Sequence, residues 1–398
     1  MKNRFILFIL FRCLISNSTF AQVNWPTEAW PIAAPAEVAL NSDSLTFLER
    51  ELGSGKYGYV DGILIIRHGK IAYLHSFTHD YVNLYKVEAR EKGPLNPTDP
   101  SGPYNYFNSW WHPFFHESNL HTLQSVSKTI TSIVIGVAIS NKDFPNLNTS
   151  ILQFFDTSVV KNIDDRKRHI TILHLLTMTG GFDWNEQLPY ADPKNTGSAM
   201  EASDDWVKYA IDRPMSDEPG KVFNYNGGET EILAYIFRVT TGMDLEEYAV
   251  KHLFSPLGIK NYYWKRSPSG LIDSEGGLYL EKTDLAKLFY LYLHGGNWGD
   301  KQLIDPWYVS ASIKPYVVIS ANVSYGYKWW LRKYGNSDME VAWTGSGFGG
   351  QVPMIIPEYD VVAVFTGWNV LPERPHYTPS FLLEKVLHSL DEYNLKSK

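Results

Sequence analysis

The sequence predicts an α+β protein in which an antiparallel sheet is built from both ends of the chain and a mainly helical subdomain is inserted between the halves. Three observations carry this. Short β-patterned runs lie near the start, helical patterns dominate from about residue 141 to 269, and β-patterned runs followed by a helix return in the last third. The sheet part therefore covers about 35–140 and 270–398. No internal repeat or low-complexity linker interrupts the chain, so the parts form one compact unit.

The elements follow in order. Gly62-Ile63-Leu64-Ile65-Ile66 and Ile71-Ala72-Tyr73-Leu74 predict two strands joined by a turn at His68-Gly69-Lys70. Residues 84–120, rich in Pro, Gly, Asn and aromatics, predict a long irregular surface segment of the kind that lines a site. Leu123 to Ser140 carries Ile130, Ile133, Val134 and Val137 at helical spacing and predicts a buried helix. Thr230 to Thr240 predicts another, closed by Gly242. Asp284 to His294 predicts a third, capped by Asp284 and stopped by Gly295-Gly296. Met354-Ile355-Ile356 and Val361 to Phe365 flank a turn at Glu358-Tyr359-Asp360. Pro379 then opens a final amphipathic helix reaching about Tyr393.

Of the 398 residues, 44% are hydrophobic and 20% charged, which supports a sizeable core and excludes disorder. The net charge of -7 argues against nucleic acid and anionic membrane surfaces as partners. Lys2 and Arg4 precede a mostly apolar run from Phe5 to Ile15, and Thr19-Phe20-Ala21 supplies small residues before a cut. This predicts a signal peptide over 1–21, a mature domain over 22–398, and a secreted or periplasmic protein. The apolar run is too short to span a bilayer. Cys13 lacks the small residues expected before a lipid-modified cysteine, so no membrane anchor is expected after cleavage. Cleavage would remove this single cysteine, and with it any thiol nucleophile or thiolate metal site.

Chemistry concentrates in three places. In Ser125-Val126-Ser127-Lys128, residues three apart share a helix face, so Ser125 and Lys128 become neighbours in the first turn of the buried helix. Burial disfavours an ammonium, and a neutral Lys128 can then take the proton of Ser125. The helix N-terminus adds positive potential where an oxyanion develops. The same spacing at Ser158-Val159-Val160-Lys161 precedes the charged Asn162-Ile163-Asp164-Asp165-Arg166 and is taken as coincidence. The second place is Pro219 to Gly228, where a Pro-Gly turn leads to Tyr225 among small polar residues before a helix. A phenol beside a lysine can shuttle protons to a leaving group, although a buried structural tyrosine is the simpler reading of any one tyrosine. The third is Trp343-Thr344-Gly345-Ser346-Gly347-Phe348-Gly349-Gly350-Gln351, where dense glycine lets backbone approach a ligand. A backbone N–H there supplies half of an oxyanion hole, the Ser125 N–H the other half.

Other patterns carry less. His116 and His121 are five apart, where a zinc-binding helix needs four, and no metal or organic cofactor is expected. There is no Gly-x-Ser-x-Gly elbow and no Gly-Lys-Ser/Thr phosphate loop. The pairs Trp110-Trp111 and Trp329-Trp330 fit core or pocket walls better than a sugar platform.

Taken in order, the three places resemble the serine beta-lactamase and penicillin-recognising family, closest to its class C-like branch of esterases, D-aminopeptidases and oligoamide hydrolases. That family carries Ser-x-x-Lys, then a Tyr-x-Asn-like element, then a Lys/His-Thr-Gly-like strand. Leu175 to Gly181, Pro219-Gly220 and Gly276-Gly277-Leu278 also look familiar, and the likeness covers roughly residues 35–390. It implies an antiparallel sheet flanked by helices, with the site in the cleft beside the helical subdomain. It further implies catalysis by Ser125, Lys128 and Tyr225 on a small-molecule or short-peptide substrate. Asn226, Gly345, Ser346 and Gly347 would contact substrate, and Ser125 and Phe348 would hold the oxyanion. The third element fits as Trp343-Thr344-Gly345 by eye. Counting back from Pro357 it fits as Gly345-Ser346-Gly347, with Phe348 donating. Two departures stand out. Gly227 occupies the place of the Asn, and neither register of the third element carries a Lys or His, which points to neutral esters or amides. Two alternatives remain open: a D-amino-acid peptidase or penicillin-binding protein acting on cell-wall fragments, and a non-catalytic glycan- or peptide-binding protein on the same fold.

Overall fold

A computed structural model describes residues 25–90, 112–190, 192–335, 337, 339–371 and 376–396. The expected signal peptide and Trp110-Trp111 lie outside them. After helix α1 (Ser42–Gly53), strands β1 (Val60–Arg67) and β2 (Lys70–Ser76) form the first hairpin. A short strand β3 (His121–Thr122) leads into helix α2 (Val126–Ser140). The middle is mostly helical: Ile172–Leu176, Thr196–Glu201 and Trp206–Ile211 are short, and α3 (Gly227–Thr241) is long. Strands β4 (Tyr263–Trp264) and β5 (Leu278–Leu280) join β3 in a small sheet, and helices α4 (Lys282–Leu293) and α5 (Pro306–Ser312) follow.

The last third supplies β6 (Val317–Ser320), β7 (Val323–Tyr325), β8 (Trp330–Lys333), β9 (Val341–Thr344), β10 (Val352–Ile356) and β11 (Val361–Gly367). The main sheet runs β2-β1-β11-β10-β9-β8-β7-β6 with every pairing antiparallel. The first hairpin is thus completed by the last strand, with Ile63 opposite Phe365 and Ile65 opposite Ala363.

Alternation along the strands feeds two cores. Leu64, Ile66, Val362 and Val364 pack with α2, α3 and α4. Ile63, Ile65, Ala363 and Phe365 pack with α1 and the C-terminal helix α6 (Pro379–His388) on the other face. Helices cover both faces, so β1 is buried throughout, which explains its unbroken apolar run in the sequence.

Three boundaries differ from expectation. Asp284 does not cap α4: Glu281 is the N-cap, and Asp284 lies in the first turn, 2.9 Å from Lys287. Helix α3 starts three residues before Thr230, because Asn226 caps it and Gly227-Gly228 continue helical despite low propensity. The final helix breaks before Tyr393. The Asn41 N–H donates to the Ser389 carbonyl at 2.8 Å and Leu390 bridges to Leu40, so the chain leaves the helix to pair with residues before α1. A separate helix α7 (Asp391–Lys396) follows. Among the described residues no helix is long and apolar enough to cross a membrane.

Candidate active site

The position of Ser125 is set by a sharp exit from the small sheet. His121 and Thr122 pair with Leu280 and Tyr279, and the Leu123 N–H donates to the Leu278 carbonyl at 2.8 Å. Gln124 then turns the chain with φ 47°, a left-handed conformation that disfavours side-chain-bearing residues. Its Nε2 donates to Thr122 Oγ1 at 3.1 Å and braces the turn. Ser125 is the N-cap of α2, yet its side chain makes no cap bond, which leaves Oγ available. Its backbone N–H donates to no acceptor among the described residues.

One turn on, Lys128 Nζ lies 3.0 Å from Ser125 Oγ, and the lysine is 1% exposed. Nζ also donates to the Glu275 carbonyl at 3.0 Å and contacts Glu275 Oε2 directly. This corrects the expectation of an amine neutralised by burial. Burial does pull the Lys128 pKa down, but the Glu275 carboxylate, then Tyr225, Glu186 and Tyr190, hold it well above the ordinary 10.5. At rest the Lys128 amine therefore keeps its proton.

Gly227 explains how the carboxylate fits. A Cβ built there would lie 2.7 Å from Glu275 Oε2 and 3.4 Å from Glu186 Oε2. The space that a side chain at 227 would fill is taken by two acids from other segments.

This pair makes a testable statement about pH. The raised amine stabilises the fold fully below 10.5, and that contribution is lost only as pH climbs through the raised value. With the carboxylate gone, burial depresses the amine, which then destabilises the fold at every pH below 10.5. Glu275→Gln is therefore expected to cost about 3–5 kcal/mol near neutral pH, with the loss shrinking towards pH 10. Thermal melts of both proteins at pH 7 and pH 10 check this. Equal losses at the two pH values would show that Glu275 does not act through its charge on Lys128.

Tyr225 precedes the Asn226 cap of α3. Its ring centroid lies 5.2 Å from Lys128 Nζ, and Ser125 is among the groups that draw the phenol's pKa down. The ring stacks on Trp330 with centroids 5.9 Å apart at 29°. Burial raises its pKa, only partly offset by Lys128, so the phenol keeps its proton at neutral pH. Glu186 Oε2 accepts from Trp184 Nε1 at 2.9 Å and from the Gly227 N–H at 2.8 Å. Burial pushes its pKa up while Lys128 pulls it down.

The third element closes the opposite side. Trp343 and Thr344 lie in β9, and the Gly345 N–H donates to the Pro353 carbonyl at 3.0 Å. A Cβ on Gly345 would lie 3.2 Å from Val126, next in sequence to Ser125, and one on Gly347 would meet the Leu123 carbonyl. Both glycines thus let this strand end approach the start of α2. Ser346 is half-buried between them. Phe348 packs edge-on against Tyr190 at 5.0 Å. Asn226 is 2% exposed and its Oδ1 accepts from the Glu229 N–H at 3.1 Å, so that oxygen serves the helix cap. Thr344 has a cationic neighbour from the next strand: Arg332 Nε donates to Thr344 Oγ1 at 3.2 Å.

The decoy residues are occupied elsewhere. Ser158 and Lys161 are exposed, with Ser158 Oγ on Asp156 at 2.7 Å. His121 is buried against Asp61 Oδ2 at 2.9 Å. Among the described residues no group of three or more His, Cys, Asp or Glu side chains could hold a metal ion.

The sequence reading missed Glu275 and Glu186 as site residues, whereas Trp330, read there as a core or pocket wall, serves as one against Tyr225. Glu275 directly precedes the quoted Gly276-Gly277-Leu278, the one signal that could have pointed to it. Glu186 carries no motif.

A family model described as Beta-lactamase matches residues 61–373. Among solved structures, one assigned as a 6-aminohexanoate-dimer hydrolase from Bacillus anthracis has TM-score 0.66 at 18% identity, covering 92% of this chain and 89% of that one. The structure of EstCE1, a hydrolase with promiscuous acyltransferase activity, has TM-score 0.63 at 13% identity, covering 87% and 97%. At these identities the likeness establishes the fold. Monacolin J acid methylbutanoyltransferase of Aspergillus terreus is 25% identical over 116 residues. That match spans 29% of this chain and 28% of the relative's length.

Proposed function

The chain belongs to the beta-lactamase family, and from that premise we propose that it is a serine hydrolase cleaving an ester or amide bond through a Ser125 acyl-enzyme. The observation that carries the reading is the Ser125 hydroxyl held 3.0 Å from a fully buried amine, with the ring centroid of half-buried Tyr225 5.2 Å from that amine.

Attack requires a neutral amine, and the Lys128–Glu275 contact supplies it without a net change of charge. One proton crosses from Nζ to the Glu275 carboxylate, leaving –NH2 beside Ser125 and a neutral acid behind it. Ser125 Oγ then bonds to the carbonyl carbon and its proton passes to Lys128. The oxyanion is received by the N–H groups of Ser125 and Phe348. As the tetrahedral centre collapses, Tyr225 gives its proton to the leaving group and recovers one from Lys128. Water follows the reverse route: Tyr225 passes its proton to Lys128 and takes one from water, hydroxide attacks the ester, and Lys128 returns a proton to Ser125 Oγ as the acyl group leaves. No step calls on a metal or organic cofactor.

Incubation with a fluorophosphonate or a slowly deacylating ester, followed by intact mass and peptide mapping, tests this. The expected result is a single adduct on Ser125. An adduct mapped to another residue, or none with any activated ester, would overturn the reading.

A further inference from the structure

We infer that Glu231 is a positioning residue: from inside α3 it fixes the loop that presents Glu275 to Lys128. This rests on the hydrolase reading above, and Glu231 acts on the reaction only through Glu275.

Three donors converge on one oxygen of this fully buried side chain. Glu231 Oε1 accepts from the Ser274 N–H at 2.9 Å, from Ser274 Oγ at 2.8 Å and from the Glu275 N–H at 3.1 Å. A second brace comes from α2, where Thr131 Oγ1, one turn past Lys128, donates to the Ser274 carbonyl at 2.9 Å. The loop also folds onto itself. The Gly276 N–H donates to Asp273 Oδ1 at 2.8 Å, and the Gly277 N–H to the Asp273 carbonyl at 3.1 Å. The backbone of Ser274 and Glu275 is thus held between the helix that carries Lys128 and the helix that follows Tyr225. From there both the carbonyl and the carboxylate of Glu275 reach Lys128 Nζ.

The clamp suits a neutral acid. Oε1 is filled by donors, and Oε2 is buried with no hydrogen-bond partner among the described residues. Burial, then Asp273 and Glu275, push the Glu231 pKa well above the ordinary 4.5, which favours the protonated form. A protonated Glu231 holds the loop without adding a charge beside the Lys128–Glu275 pair. Without it three donors lose their acceptor, and nothing from α3 keeps Glu275 against the amine. Burial would then pull the Lys128 pKa down, opposed by Tyr225, Glu186 and Tyr190 but no longer by a carboxylate in contact. Lys328, a like-charged neighbour, opposes the ammonium rather than supporting it. In sequence Glu231 looks like any polar position of a helix, because the loop that it clamps lies 43 residues on.

NMR of protein isotope-labelled at lysine Cε reads the charge of Lys128 directly, its signal being assigned by its loss in Lys128→Met. In the parent protein that signal should keep the ammonium position up to pH 10.5. In Glu231→Ala, where water replaces the carboxyl, it should move to the neutral-amine position about one pH unit or more lower. With an activated ester, kcat of this variant should fall by about 10–100-fold while KM stays nearly unchanged. Glu231→Gln keeps an acceptor oxygen in place and should restore both readings. Should Glu231→Ala fail to fold, Glu231→Asp takes its place, its carboxyl drawn back by one methylene and the same changes expected at smaller size. A Lys128 signal that titrates alike with and without the clamp would overturn the inference. So would a kcat that holds while the signal moves, or a Glu231→Gln protein as impaired as Glu231→Ala. The lysine signal is also recorded in Ser125→Ala protein, so it does not depend on turnover. Absence of ester turnover in the parent protein would instead count against the hydrolase reading, leaving the hold of Glu231 on Glu275 to be judged by the lysine signal.

Discussion

Ser125→Ala is expected to lower ester hydrolysis by about 10³–10⁶-fold, the scale on which serine hydrolases lose rate with their nucleophile. The lost group is the hydroxyl 3.0 Å from Lys128, and no other described hydroxyl occupies that place. Ser127 Oγ, the nearest in sequence, accepts from the Leu278 N–H at 3.1 Å and is fully buried. The fold should barely register the change. Ser125 is half-buried and makes no side-chain cap bond, so the cost in stability should stay within about 1 kcal/mol. Initial rates with an activated ester, alongside a thermal melt, check both statements. Activity within tenfold of the unmodified enzyme would remove Ser125 from the mechanism.

Lys128→Met has the next largest effect, and it divides. Activity should fall by about 10²–10⁴-fold, the usual worth of a positioned general base. Stability should fall too, by about 3–5 kcal/mol, because Glu275 keeps a buried carboxylate without its ammonium. Methionine keeps the length of the side chain and leaves no large void. The double variant Lys128→Met/Glu275→Gln separates the two consequences. Removing both charges should restore at least half of the lost melting temperature and none of the lost rate. Recovery of activity in the double variant would show that Lys128 serves only to balance Glu275.

The ease with which these residues could be found from sequence follows from how far apart their partners lie. Ser125 and Lys128 were legible because helical geometry alone joins residues three apart, and Tyr225 because it stands between a Pro-Gly turn and a helix. The protonation state of Lys128 was not legible. Local reasoning sees only the apolar helix and predicts a neutral amine. The opposing carboxylate enters from a loop 147 residues away. The absence of Asn at 227 looked like a missing part and is instead room for two acids. The sheet was legible from its apolar runs, while helix starts were less so: Gly227-Gly228 disguised the first turn of α3, and Asp284 mimicked a cap three residues inside α4. The break before α7 was invisible because its cause is a contact with Leu40 at the other end of the chain.

That closing of the chain upon itself has a bearing on biosynthesis. Translation delivers β1 and β2 early, but the inner edge of β1 faces nothing until Val361–Gly367 emerge some three hundred residues later. A nascent chain on the ribosome therefore carries an open, strongly apolar ribbon for most of its synthesis, and loop closure of that span makes premature completion slow.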